Sequence, residues 1–118
     1  MPYKGMRYEE AMKTPVGVLV GEIIDEFAEA IHDIRNENTE EAKAKLNEFL
    51  SGFQERVDDV LSQIETPERE NLEALVLTIV DQVNQVVDKL ITGDRIGAGQ
   101  KLETFRLEVG VGWIKWKE

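Results

Sequence analysis

Few residues in this chain could do chemistry, and each can be weighed by what its spacing would demand. Glu29-Ala30-Ile31-His32 has the Glu-x-x-His spacing that sets a carboxylate and an imidazole one helical turn apart, as in di-iron carboxylate bundles. Such a centre needs two of these pairs and further inward carboxylates, and His32 is the single histidine. It also lies off the apolar stripe of Phe27, Ile31 and Ile34, so it reads as a surface histidine. Nothing marks Ser51 or Ser62 as an activated nucleophile, because no histidine and acid accompany either. The stretch from Gly93 to Gly99 is glycine-rich, but it lacks the Lys-Ser/Thr ending and the preceding strand of a phosphate loop. It reads as a helix–helix turn with close backbone approach. Asp58 and Asp59 are sequence neighbours that point apart on a helix, so they are solvated charges rather than an acid/base pair. The chain has no cysteine, which excludes disulfides, thiolate metal sites and cysteine nucleophiles together.

The remaining candidates are binding groups. Trp113 and Trp116, three residues apart, share one side of a helix. They either close a core or form a partly exposed anchor, since tryptophan is enriched at interface hot spots; Lys115 and Lys117 would then rim it. Asp81, Asn84, Gln85 and Asp88 form a ridge at steps of three and four. That ridge is either the wet side of a mainly apolar helix or a hydrogen-bonding strip for a partner helix. Acidity is concentrated between Glu22 and Glu41, where Arg35 is the only base. A run of this kind is a solubilising face or a surface for a basic partner. The formal net charge is −10, from 24 acidic and 14 basic residues, and it disfavours nucleic acid and anionic membranes as partners.

These groups need elements to carry them, and the apolar pattern supplies four. The first helix starts at Thr14-Pro15, where threonine can accept from first-turn amides and proline loses nothing. Its stripe is Val16, Val20, Ile23, Ile24, Phe27, Ile31 and Ile34; Glu22, Asp25, Glu26, Glu29 and Asp33 fall elsewhere, and it ends around Arg35-Asn36. The second starts at Thr39, with Glu40 and Glu41 suited to the positive end of the helix dipole. Its stripe is Ala42, Leu46, Phe49, Leu50, Phe53, Val57, Val60, Leu61 and Ile64, and Glu41 with Lys45 makes a pair one turn apart. The third begins at Thr66-Pro67, the same start signal as the first. It is apolar over a wide arc that includes Leu72, Val76, Leu77, Ile79, Val80, Val83, Val87, Leu90 and Ile91. An arc this wide implies burial on more than one side, within the chain or against another subunit.

Thr92-Gly93-Asp94 reads as a stop and a restart: Gly93 takes a left-handed cap and Asp94 caps the next helix. The fourth segment carries Ile96, Leu102, Phe105, Val109, Trp113 and Trp116 at helical spacing, interrupted by Gly97, Gly99, Gly110 and Gly112. From Val109 to Trp116 it is either helical or extended. Short connections near Asn36 to Asn38, at Glu65-Thr66 and at Thr92-Gly93 force antiparallel neighbours. The expected fold is therefore all-α, an antiparallel up-down-up-down four-helix bundle over residues 14–118. Residues 1–13 form an N-terminal arm, frayed or docked through Tyr3 and Tyr8. A hydrophobic share of 42% against 32% charged is ordinary for one globular domain. No apolar run approaches the roughly 20 residues that span a bilayer, and no signal peptide is evident, so a cytoplasmic protein is expected.

Several of these features together resemble small bacterial helical-bundle export chaperones, in particular the flagellin-chaperone type. They are the tyrosine-containing arm (Tyr3, Tyr8), the Thr14-Pro15 start with Leu19 soon after, a bundle of similar length, and Trp113 near the end. The last segment, Gly93-Asp94-Arg95-Ile96 running to Leu102-Glu103-Thr104-Phe105 and Trp113, is similar to the final helix of small uncharacterised Firmicutes bundle proteins. The chain departs from the chaperones at Gly17-Val18-Leu19-Val20-Gly21, where they have a richer polar-aromatic opening. The resemblance implies a protein that holds another chain in an apolar groove.

The sequence thus points to a non-enzymatic interaction module, chaperone- or adaptor-like, that uses no cofactor and binds a protein partner or a second copy of itself as a homodimer. Trp113, Trp116, Leu77 and Val80 are the expected contact residues. The competing reading is a small-ligand or metal carrier within the bundle, which would require inward polar groups. One stability test follows from the stripes: Phe53→Asp buries an unpaired charge and should abolish the cooperative thermal transition. A near-wild-type melt would mean that the second stripe does not face the core.

Overall fold

The computed structural model describes the backbone of residues 13–117 and the side chains of 13–66 and 68–110. The arm at 1–12, its docking, and Glu118 lie outside the described residues. Four helices follow one another: α1 (Pro15–Arg35), α2 (Thr39–Leu61), α3 (Thr66–Ile91) and α4 (Arg95–Lys117). Each packs on its neighbours in chain order, and α4 closes the ring against α1, giving the antiparallel four-helix bundle. The fourth segment is helical through Lys117, so its end is not extended and its glycines do not break it.

Local chemistry explains where the helices begin and stop. Thr14 is extended, and its hydroxyl accepts from the amide of Gly17 at 3.1 Å. Asp94 does the same for the amide of Gly97 at 3.0 Å. At Thr66-Pro67 the outcome differs from the expected start, because Glu65 occupies the capping position and makes no side-chain cap bond. The helix α2 ends at Leu61, so Ile64 lies in the connection, where it still packs on the core.

The turns after α1 and α3 share one geometry. Asn38 N–H donates to Asp33 C=O at 2.8 Å and Glu37 N–H to Ile34 C=O at 3.2 Å; Asp94 donates to Lys89 at 2.8 Å and Gly93 to Leu90 at 3.3 Å. These are paired Schellman bonds around a left-handed residue. That residue is Gly93 (φ 89°) in one turn and Glu37 (φ 64°) in the other.

The core is built on phenylalanine. All four, Phe27, Phe49, Phe53 and Phe105, are buried. Ring centroids lie 5.3 Å apart for Phe27–Phe49, 6.1 Å for Phe27–Phe105 and 4.8 Å for Phe49–Phe53. Tilted and offset contacts at these distances add to the roughly 1.5–3 kcal/mol that burying each such side chain contributes. In α4 the inward residues are Ala98, Leu102, Phe105 and Val109, and Gly99 is also buried. A Cβ on Gly99 would stand 3.2 Å from Ile34 Cγ2, so the glycine lets α4 approach α1 closely. Arg95 strengthens the same junction: its Nη1 donates to the carbonyl of Ile34 at 2.9 Å, and its Nη2 lies 3.7 Å from Glu37 Oε1.

Three expectations need correction. Ile96 is 66% exposed, because it sits two residues before Ala98 and so points about 160° away from it around the helix. Asp33, placed off the stripe, is buried at 5% exposure. Lys45 meets Asp33 at 2.6 Å rather than Glu41.

Glu37 adopts a backbone conformation that costs a residue with a Cβ about 1–2 kcal/mol, and its ion pair with Arg95 is long and exposed. Glu37→Gly should therefore stabilise the fold by about 1 kcal/mol, measurable as a raised midpoint in urea with unchanged slope. An unchanged or lowered midpoint would show that the turn carries no strain.

Candidate functional site

The groups tested for chemistry prove to be occupied with holding their own helices. Ser51 donates to the carbonyl of Glu48 at 2.9 Å and Ser62 to that of Asp59 at 2.6 Å, so neither hydroxyl is poised beside a base. His32 is exposed, and its neighbour Asn36 donates to the His32 carbonyl at 2.8 Å. Asp58 accepts from Gln54 at 2.8 Å. Among the described residues no group of three acidic or histidine side chains is placed to hold a metal.

Asp33 is the only buried charged residue among those described. It lies in the last turn of α1, where the helix dipole disfavours a carboxylate, and Lys45 of α2 supplies the counter-charge. The contact raises the Lys45 pKa above its ordinary 10.5, chiefly through the hydrogen bond to Asp33 and against the opposing loss of hydration. Further along the same seam, Arg56 reaches Glu26 at 2.9 Å and Glu22 at 3.2 Å. Its guanidinium carbon lies 5.4 Å from the Phe49 ring centroid. These pairs bridge α1 and α2 along one seam, and Asp33 reads as a structural group rather than a reactive one.

The expected contact residues divide. Leu77 and Val80 lie together on one flank of α3, three residues apart. Leu77 is 74% exposed, while Val80 is half-buried and leans on the core. The wide apolar arc of α3 is therefore not covered by the described residues. Ile91, at 64% exposure, lies on the same flank. Trp113 and Trp116 are on the helical backbone of α4, but their side chains lie outside the described residues. The face of α3 that meets α4 carries Gln82 and Lys89, which line a shared groove with Gln100, Lys101 and Thr104. Leu77 is about 140° around the helix from Gln82, so it turns away from the α4 seam.

A groove of about 480 Å³ between α1 and α4, lined by Ile34, Arg35, Arg95, Ile96, Gly99 and Gln100, had no sequence signal. It exists because Gly99 has no side chain to fill it and Ile96 faces out. No family model, curated protein or solved structure matches this chain.

The Asp33–Lys45 pair makes a prediction whose sign is fixed. A folded-state lysine pKa above the unfolded value contributes stability that is fully present below 10.5 and is lost as pH climbs through the higher folded value. Lys45→Met should melt at a lower temperature than wild type, by a gap that holds from neutral pH up to 10.5 and closes above it. A gap that persists unchanged into stronger alkali would show that the pair does not stabilise the fold.

Proposed function

We propose that this protein is a non-enzymatic interaction module, chaperone- or adaptor-like, that binds a protein partner through the outer flank of α3. The reading is carried by Leu77, a large apolar side chain held 74% exposed in the middle of the longest helix, on the flank that also presents Val80 and Ile91. Partner binding is what an apolar face left open by the described residues serves best. The interior supports the same reading over a ligand or metal carrier. Among the described residues its buried side chains are apolar apart from Asp33, and that carboxylate is matched by a lysine from the surface. The acidic surface favours a protein partner over nucleic acid or membrane. No helix of the described chain is long and apolar enough to cross a bilayer, in keeping with a cytoplasmic setting. The resemblance to export chaperones concerns the same kind of act, one chain held against an apolar face of a bundle.

A photo-activatable residue introduced at Leu77, with one at the exposed Ser51 of α2 as reference, tests the assignment. Irradiation in extract of the producing cell should yield a discrete protein adduct from position 77 and none from position 51. Equal, diffuse labelling from both positions, with the chain sedimenting as a monomer, would overturn it.

A further inference from the structure

We propose that the outer flank of α3 is a docking seam for a cationic amphipathic helix of the partner, with Leu77, Asn84 and Ile91 as its contact line and Asp81 and Asp88 as its selecting charges. The inference rests on the interaction-module reading and names the occupant. Isolated exposed leucines are common on soluble proteins; the recurrence here is not of that kind. Leu77, Asn84 and Ile91 repeat every seven residues, and Val80 and Val87 follow the first two by three. This is the spacing of the two inward positions of a coiled-coil heptad. Leu77 and Ile91 are 74% and 64% exposed and Asn84 is exposed, while Val80 is half-buried and Val87 is 8% exposed. The valines thus turn toward the bundle, and the seven-residue line faces out over about 21 Å. A single amide in the middle of such a line is the usual device for fixing the register of a docked helix.

Charge chooses the occupant. One edge of the seam is made of Val76, Val83 and Leu90, which are buried in the bundle. The other edge is Asp81 and Asp88, both exposed. Asp81 accepts from Gln85 at 2.7 Å, and neither carboxylate meets a cation among the described residues. The nearby Lys89 is on the α4 side of the helix, 3.4 Å from Asp94. On α3 itself, a docked helix therefore meets one charged edge, and that edge is acidic. A second copy in antiparallel pairing would set these aspartates against their own counterparts, and like charges across a seam are destabilising. Lysine or arginine flanking a leucine stripe is the complement.

The probes are a synthetic three-heptad helix with a leucine stripe flanked by lysines, and the same peptide with glutamates in place of the lysines. Each is titrated against the full chain by calorimetry and by amide NMR. The lysine peptide should bind, shifting amides of the α3 flank, and the glutamate peptide should not. Leu77→Ser combined with Ile91→Ser should weaken binding about tenfold. Asp81→Asn combined with Asp88→Asn should weaken it about threefold, with reduced salt dependence. The charge-matched control, Glu55→Gln with Asp58→Asn on α2, should leave it unchanged. All of these sites are exposed, and thermal melts would verify the fold of each variant. Equal loss in the α2 control, or equal binding of the glutamate peptide, overturns the cationic-helix assignment. A homodimer abolished by Leu77→Ser also overturns it but leaves the interaction module standing. Failure of both peptides together with no specific adduct from position 77 removes both.

Discussion

The bundle depends on Phe27. Its ring touches Phe49 of α2 and Phe105 of α4, and Phe53 stacks on Phe49 behind it. One side chain thus ties α1 to both helices beside it, and the aliphatic residues of the stripes fill in above and below. A core organised this way needs α1 close to α2 and to α4 at once. The two contacts are secured differently. Against α2 the seam is edged by charge, with Lys45 on Asp33 and Arg56 on Glu22 and Glu26. Against α4 it is secured by the absence of a side chain at Gly99 and by Arg95 closing on the Ile34 carbonyl.

That division explains which parts of the molecule were legible in the sequence. Start and stop signals with a local mechanism were readable because their partners lie three or four residues away. Thr14 caps Gly17 and Asp94 caps Gly97, and Gly93 takes the left-handed position. The stripes were readable because burial follows the helical period, and Phe27, Leu46, Phe53, Ile79 and Leu102 are all interior. The misreadings concern choices made by neighbouring helices. Asp33 lies off its stripe, yet the folded bundle buries it with Lys45 of α2 beside it. Lys45 has Glu41 and Glu48 one turn away in its own helix and Asp33 across the seam, and nothing local favours the last. Ile96 matched the apolar composition of α4 but not the phase set by Ala98 and Leu102. Glu37 carries no mark of its left-handed conformation; the turn imposes it.

The candidate face was legible only in part. The sequence showed that α3 is apolar over too wide an arc for one buried side, and it singled out Leu77 and Val80. It could not say which apolar residues would be left outside, since that depends on where α2 and α4 stand around α3. With those positions fixed, the polar ridge of Asp81, Asn84 and Asp88 and the apolar line of Leu77 and Ile91 are parts of a single surface.

The turns have a mechanical consequence. Antiparallel order puts the connections after α1 and α3 at one end of the bundle, each closed by paired backbone bonds and joined by Arg95 through Glu37 and Ile34. The opposite end has the connection from Ser62 to Glu65, where no left-handed residue occurs and the capping position makes no side-chain bond. Opening free energy is set locally by such contacts, so the bundle is graded along its length. Local opening should therefore begin at the Glu65 end rather than at the doubly latched one.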